Sequence, residues 1–417
     1  INLLTQSWLR PIQAEFLRLD ARFNLFSWAI GFIASVIVAL WLILQKEKPF
    51  VAAKANFYLH AAIIGIAGMI LGGLPVWSTD RSALEGKWSE RFTLAPMIGA
   101  VFLIVVLLDW FIDDRRKKSI ILSIILGLSI AFQMQVTHRF ANDWKIQRDY
   151  YWQIAWRIPA VKPGTGFLSA NVPSTNSSHN SAAFALDILY GGDVLSPTVP
   201  VWYLRPFDIA EVMDSTMTDQ PVQYTLRNVV FEGSSSNLLG ILNRPSSGCI
   251  LIMDKAYIGN PLFDPINQDI LRLSNLEQID INAQSIDPDK QIFGKEPEYQ
   301  WCYYFQKADL ARQKKDWNEI TRLMDQAFSA GLDARYSTEY LPLLEAQYNL
   351  SDWSGYLETS QKMLTRNTGF ENFVCTQWER IEDAAATTPP AELASELQAI
   401  LDCSQFTGST APTLPTN

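Results

Sequence analysis

Four apolar stretches crowd the first third of the chain, Phe26–Leu44, Phe57–Trp77, Phe92–Phe111 and Ser119–Val136, and almost no charge interrupts them. A helix rises ~1.5 Å per residue, so ~20 residues cross a ~30 Å hydrocarbon core. The pattern predicts a helical membrane region over residues 26–136 and a large water-soluble part after it. Trp28, Trp41, Trp77 and Trp110 fall at or near the ends of these stretches, where interfacial aromatic belts form. His60, Asp109, Gln133 and Gln135 are the few strongly polar residues within them. Gly65, Gly68, Gly72 and Gly73 supply small surfaces for close helix packing. So little intramembrane charge disfavours a transporter or ion pathway and favours packed anchoring helices.

Charge sets the expected orientation. Lys46, Lys48 and Lys54 follow the first stretch, and Arg115, Arg116, Lys117 and Lys118 follow the third. Such dense basic connections predict a cytoplasmic side by the positive-inside rule, leaving the soluble part extracytoplasmic. The expected location is a bacterial cytoplasmic (inner) membrane, with several passes through the bilayer as lipid partner. A net charge of −9 without a basic patch in the soluble part argues against nucleic acid as a partner. Before the first stretch, Leu4, Trp8, Ile12, Phe16, Leu19 and Phe23 recur at helical spacing, so residues 1–25 read as an amphipathic interfacial helix. Residues 137–158, rich in Phe, Trp and Tyr, read as a second interfacial helix ended by Pro159. A start at Ile1 leads us to expect a processed or truncated chain with further membrane helices upstream.

The soluble part divides into residues 159–295, an extracytoplasmic α/β domain, and residues 296–403, a helical region. Strands are expected at Gly166–Asn171, Pro200–Leu204, Val222–Phe231, Leu238–Leu242 and Cys249–Met253, with turns at 232–236 and 244–248. Helices are expected at Ser181–Tyr190 and Asp264–Leu273. Further on, Trp301–Gln313 and Trp317–Ser329 flank Asp316-Trp317, and Tyr340–Tyr348 and Trp353–Leu364 flank Asp352-Trp353. The period of about 36 residues looks like a tetratricopeptide-type hairpin array, with Glu371–Ala384 and Ala391–Leu401 as a capping pair. Residues 404–417, rich in Ser, Thr and Pro, read as a disordered tail.

Cys249, Cys302, Cys375 and Cys403 all lie in the soluble part, an even number that suits an oxidising compartment. The preferred bridges are Cys249–Cys302 and Cys375–Cys403; four buried thiols are the alternative. Without a C-x-x-C spacing, and with only His60, His138 and His179 dispersed along the chain, neither a metal nor a cofactor is expected. Phosphate-loop, dinucleotide and nucleophile-elbow patterns are absent, so no catalytic residue is assigned. Two binding candidates remain. Asp80, Arg81, Glu85 and Arg91 beside the membrane have the chemistry to hold a phosphorylated head group. His179 and Asn180 sit at a loop-to-helix start, where a capping role for Asn180 or Ser181 is the plainer expectation.

Gly72-Gly-Leu-Pro-Val-Trp77, Glu90-Arg-Phe-Thr-Leu94, Tyr151-Trp-Gln-Ile-Ala-Trp156 and Lys162-Pro-Gly-Thr165 resemble an uncharacterised family of bacterial polytopic membrane proteins with a C-terminal soluble domain. Trp301 to Gln313 with Asp316-Trp317 is similar to that family's helical region. The resemblance covers residues 70–380 and implies no activity. In layout alone it is similar to multi-span glycosyltransferases that use lipid-linked sugars, whose acidic catalytic loop would lie upstream of Ile1. The expected function is therefore a membrane-anchored envelope protein that binds a protein or glycan partner. The alternative is the C-terminal part of such a glycosyltransferase.

Overall fold

The computed structural model describes residues 22–45, 55–79, 92–191, 196–214, 219–244, 248–367, 369–384 and 390. The chain forms two compact units, residues 1–142 and 143–417. Asp80, Arg81, Glu85, Arg91, Cys403, the loop lysines 46, 48 and 54, the helix expected at 391–401 and the tail lie outside the described residues. So do residues 1–21 of the expected N-terminal helix.

The first unit is built from α1 (Arg22–Leu44), α2 (Ala55–Trp77), α3 (Leu94–Phe111) and the first part of α4 (Arg115–Arg157). Among the described residues these four helices are long and apolar enough to cross a membrane. Their large side chains point outward: Phe32 is 71% exposed and Phe111 77%. Water disfavours such a surface and hydrocarbon does not, so the unit is that of a multi-pass membrane protein.

Inside a bilayer, helices associate through packing and polar contacts. α2 and α3 approach so closely that a Cβ on Gly99 would sit 2.4 Å from the Gly65 carbonyl oxygen. Gly31 of α1 and Gly127 of α4 meet in the same way. Polar ties reinforce one end. Tyr58 Oη donates to Asp109 Oδ2 at 2.7 Å, Lys118 forms an ion pair with Asp109, and Arg115 Nη2 donates to the Gln45 carbonyl at 3.1 Å.

Residues 137–158, expected to continue the fourth stretch as an interfacial helix, do continue it as the end of α4, and its last turns are buried in the second unit. Phe140 and Trp144 are exposed, but Tyr150, Tyr151, Ile154 and Ile158 pack in the second unit against Phe167, Leu168 and Tyr203. From Tyr150 to Ile158 every side chain is buried, with Gln153 and Arg157 held by polar partners, which is the pattern of a buried helix rather than an amphipathic one.

The second unit holds a four-stranded sheet of order β3-β1-β6-β7, from β1 (Thr165–Leu168), β3 (Val201–Leu204), β6 (Leu238–Leu242) and β7 (Leu251–Ile252). β1 runs parallel to both β3 and β6, and β7 is antiparallel to β6. Every residue of these strands is buried, as a sheet covered on both faces requires. α5 (His179–Leu189) links β1 to β3. A second sheet joins β2 (Thr198–Val199), β5 (Val229–Ser234) and β4 (Pro221–Leu226). The single strand expected at 222–231 is therefore a hairpin, β4 with β5, and residues 232–234 continue β5 rather than turn. The turn residue Arg227 takes φ 55°, and without a glycine there the sequence carries no turn signal.

Short helices α6 (Ala210–Asp214), α7 (Pro265–Leu273) and α8 (Lys290–Phe293) follow. α9 (Trp301–Gln313), α10 (Trp317–Ser329), α11 (Leu341–Asn349), α12 (Trp353–Arg366) and α13 (Glu371–Ala384) complete the unit. The 36-residue period holds at the level of backbone bonds. Asp316 N donates to the Ala311 carbonyl and Asp352 N to that of Gln347, at 2.9 and 2.8 Å. Lys315 and Ser351 both take left-handed φ, 58° and 59°. Asp316 and Asp352 then cap α10 and α12.

A buried charge network ties the unit together. Arg157 at the end of α4 is fully buried; its Nε lies 2.5 Å from Asp309 Oδ2, and its Nη1 donates to Gln313. Arg312 bonds Asp309, Asp254 and Glu345, and Arg380 of α13 also reaches Glu345. Burial raises the Asp309 pKa, but the charges of Arg157 and Arg312 outweigh it and hold the carboxyl below its ordinary value. Removing one member of such a pair leaves a buried charge, whereas removing both with apolar replacements is far better tolerated. Arg157→Met should destabilise the unit by about 3–5 kcal/mol. Arg157→Met with Asp309→Leu should recover most of that in denaturant titrations, because Arg312 keeps Asp254 and Glu345.

Asp187 of α5 supplies a pH dependence. It is buried, one of its oxygens has no hydrogen-bond partner, and desolvation pushes its pKa up to about 6 against a hydrogen bond from the Val201 backbone. The folded protein holds this proton to higher pH than the unfolded chain, where an aspartate titrates near ~3.9. Its contribution is complete below that value and is lost as pH rises through about 6. Asp187→Asn should flatten the fall in Tm across this window in thermal melts.

Candidate functional site

His179 and Asn180 are held in local packing. Ser178, rather than Asn180 or Ser181, caps α5: its Oγ accepts from Ser181 N at 3.1 Å, and Ser181 Oγ accepts from Ser178 N at 2.8 Å. His179 Nε2 lies 3.2 Å from Tyr224 Oη, which donates to Asn180 Oδ1 at 3.4 Å. Arg205 and Asp208 pair nearby. Burial, followed by the positive charge of Arg205, lowers the His179 pKa, with Asp208 opposing.

A different place has the shape of a site. β1 leads through α5 to β3 on one side, while β6 lies on the other, so the crossovers diverge between β1 and β6. In open α/β sheets the crevice at the carboxyl ends of such strands is where ligands bind. Here β6 ends at Leu242, and Asn243 and Arg244 follow directly into a cleft of about 240 Å³. Asn243 Nδ2 donates to the carbonyls of Val172 and Pro173, at 2.8 and 3.1 Å, which fixes the loop after β1 beside it. Asp143 secures the same loop by accepting from Ser174 Oγ, Thr175 Oγ1 and the Asn176 amide.

The floor is Tyr150, Gln153 and Ile250. Gln153 Oε1 accepts from the Ile250 amide at 2.9 Å and from Gln306 Nε2 at 3.3 Å, so its side chain is held in place. One wall is aromatic. Trp156 packs edge-on against Tyr303 at 5.1 Å, Tyr303 stacks on Tyr299 at 3.8 Å, and Trp156 Nε1 donates to Glu296. Asp149, tied to Arg148, and the exposed Glu298 and Gln300 complete the lining with Arg244.

Arg244 lies over the Tyr336 ring at 4.4 Å and donates from Nη1 to Thr338 Oγ1 at 3.4 Å; its Nη2 is buried without an acceptor among the described residues. Burial lowers its pKa, and the negative charge of Glu339 opposes that. Burial in turn raises the Glu339 pKa, against hydrogen bonds from the Arg335 and Cys249 amides.

The disulfide Cys249–Cys302, with Cα atoms 5.2 Å apart, fastens the segment entering β7 to the first turn of α9, and Cys302 itself lines the cleft. Cys375 is also disulfide-bonded. Among the described residues no group of three or more His, Cys, Asp or Glu side chains is placed to hold a metal ion.

The sequence had named none of Gln153, Asn243, Arg244 or Tyr303 as site residues. Asn243 and Arg244 were recognisable as the first polar residues after an apolar strand, and Trp156 lies in a motif that carries the family resemblance. The partners on α4 and α9 come together only through tertiary packing. No family model matches the chain, and no curated protein or solved structure matches it.

Closing 53 residues by a disulfide restricts the unfolded chain by about 4 kcal/mol in the loop-entropy model. Cys249→Ser with Cys302→Ser should therefore lower unfolding stability by a few kcal/mol in denaturant titrations under non-reducing conditions.

Proposed function

We propose that this chain is a membrane-anchored protein whose second unit binds a saccharide in the cleft beside β6. The observation that carries the proposal is the cleft's chemistry. Trp156 and Tyr303 line it together with the amides of Asn243, Gln153 and Gln300, beyond the end of β6, which runs parallel to β1. Aromatic faces pack against the C–H surface of a sugar ring while amides and carboxylates bond its hydroxyls. A volume of about 240 Å³ falls below the ~300–1,000 Å³ of drug-sized pockets and suits one ring rather than a run of polymer.

The disulfides support an oxidising, extracytoplasmic location, and the basic connections between the spans support the same orientation. The family resemblance supports a bacterial cytoplasmic membrane. The repeated hairpin turns support a tetratricopeptide-type array bracing the cleft through α9.

The test is a calorimetric titration of the whole protein in lipid nanodiscs with neutral mono- and disaccharides. Binding should occur, and Tyr303→Ala should weaken it about tenfold while the thermal melt stays within a few degrees of the parent. Equal affinity in that variant would remove the aromatic wall from recognition. Failure of every saccharide to bind would remove the function.

A further inference from the structure

The lining of the cleft is polar but not electrically balanced. Asp149 accepts from Arg148 Nε and Nη2, at 3.0 and 2.7 Å, so its charge is answered within the protein. Arg244 is answered only at a distance, by the buried Glu339. No carboxylate forms a salt bridge with it among the described residues; it lies on the Tyr336 ring, its single side-chain hydrogen bond is the 3.4 Å contact to Thr338, and Nη2 is buried without an acceptor. Glu339 is close enough to attract it, but its two oxygens accept from the amides of Cys249 and Arg335. Nη2 is sealed from the cleft, but the half-buried Arg244 side chain lines it, and an oxyanion there would add a charge-assisted hydrogen bond to a guanidinium that has few.

The surroundings also limit the charge of that oxyanion. Glu298 and the Arg148-paired Asp149 stand in the lining and Glu339 lies near Arg244, so one guanidinium stands among several carboxylates. A monoanion suits this balance better than a phosphate dianion, which would meet Glu298 with a single compensating charge.

We infer that the cleft selects a saccharide bearing a carboxylate, a uronic acid, with the carboxylate on the Arg244 side chain where it lines the cleft and the ring against Trp156 and Tyr303; the inference rests on the saccharide-binding role proposed above. Gly248 is small where the cleft needs it. A Cβ there would lie 2.6 Å from the Tyr336 ring and 3.0 Å from Glu339 Oε1, against the ring that carries Arg244.

The experiment is calorimetric titration of the whole protein in nanodiscs with glucuronate, glucose and inorganic phosphate, for the parent and for Arg244→Gln and Arg244→Lys. A charge-assisted hydrogen bond is worth about a 10- to 100-fold preference. Glucuronate should exceed glucose by that factor in the parent, fall to the glucose level in Arg244→Gln, and be partly restored in Arg244→Lys. Glucose and glucuronate binding equally to the parent would overturn the inference and leave the saccharide role standing. Neither sugar binding would overturn both. Phosphate binding more tightly than glucuronate, and losing affinity in Arg244→Gln, would overturn the uronic acid in favour of a phosphorylated ligand. The comparison within the parent protein needs no variant, so a misfolded Arg244→Gln does not blunt it.

Discussion

Arg157, Asp309 and Arg312 are buried, and each charge there is tolerable only because an opposite charge is bonded to it. The second unit is organised around that requirement. Arg157 ends α4, Asp309 and Arg312 belong to α9, Asp254 precedes the loop after β7, Glu345 lies on α11 and Arg380 on α13. Sheet, long helix and repeat helices therefore converge on one set of hydrogen bonds, whose geometry leaves little freedom in how they are assembled. The cleft is built on the same elements, since α4 supplies Gln153 and Trp156, and α9 supplies Cys302 and Tyr303. The network thus indirectly fixes the spacing of the cleft's walls.

The repeat enters this arrangement directly. Asp309 and Glu345 are 36 residues apart and occupy equivalent positions on α9 and α11, and Arg312 bonds both. One guanidinium therefore ties α9 to α11. Apolar packing alone would leave the stacking of two such similar hairpins less tightly specified. A buried polar contact at a single register is a well-attested means of fixing it.

Much of this was legible in the chain. The apolar stretches, the helices from Trp301 to Ala384 and the apolar strand at Leu238–Leu242 were, because each advertises itself through local periodicity or an Asp cap. Two misreadings have physical causes. The aromatic run from Tyr150 to Trp156 reads as interfacial in sequence, which shows that the residues avoid water but not whether lipid or protein covers them. The β4–β5 hairpin was hidden because Arg227 supplies a left-handed turn without glycine. The site was harder still. Arg244 and Tyr303 are 59 residues apart in sequence, and nothing in either neighbourhood shows that the fold makes them line one cavity.

The disulfide between Cys249 and Cys302 has a consequence for how the protein can change over time. It joins the two sides of the cleft covalently, and everything between its ends, β7, α7 and α8 included, forms a closed ring. A backbone break inside that ring leaves both walls attached to each other, and an insertion there need not alter the distance between them. The exposed parts of the ring that do not line the cleft can therefore differ in length and composition without redrawing it.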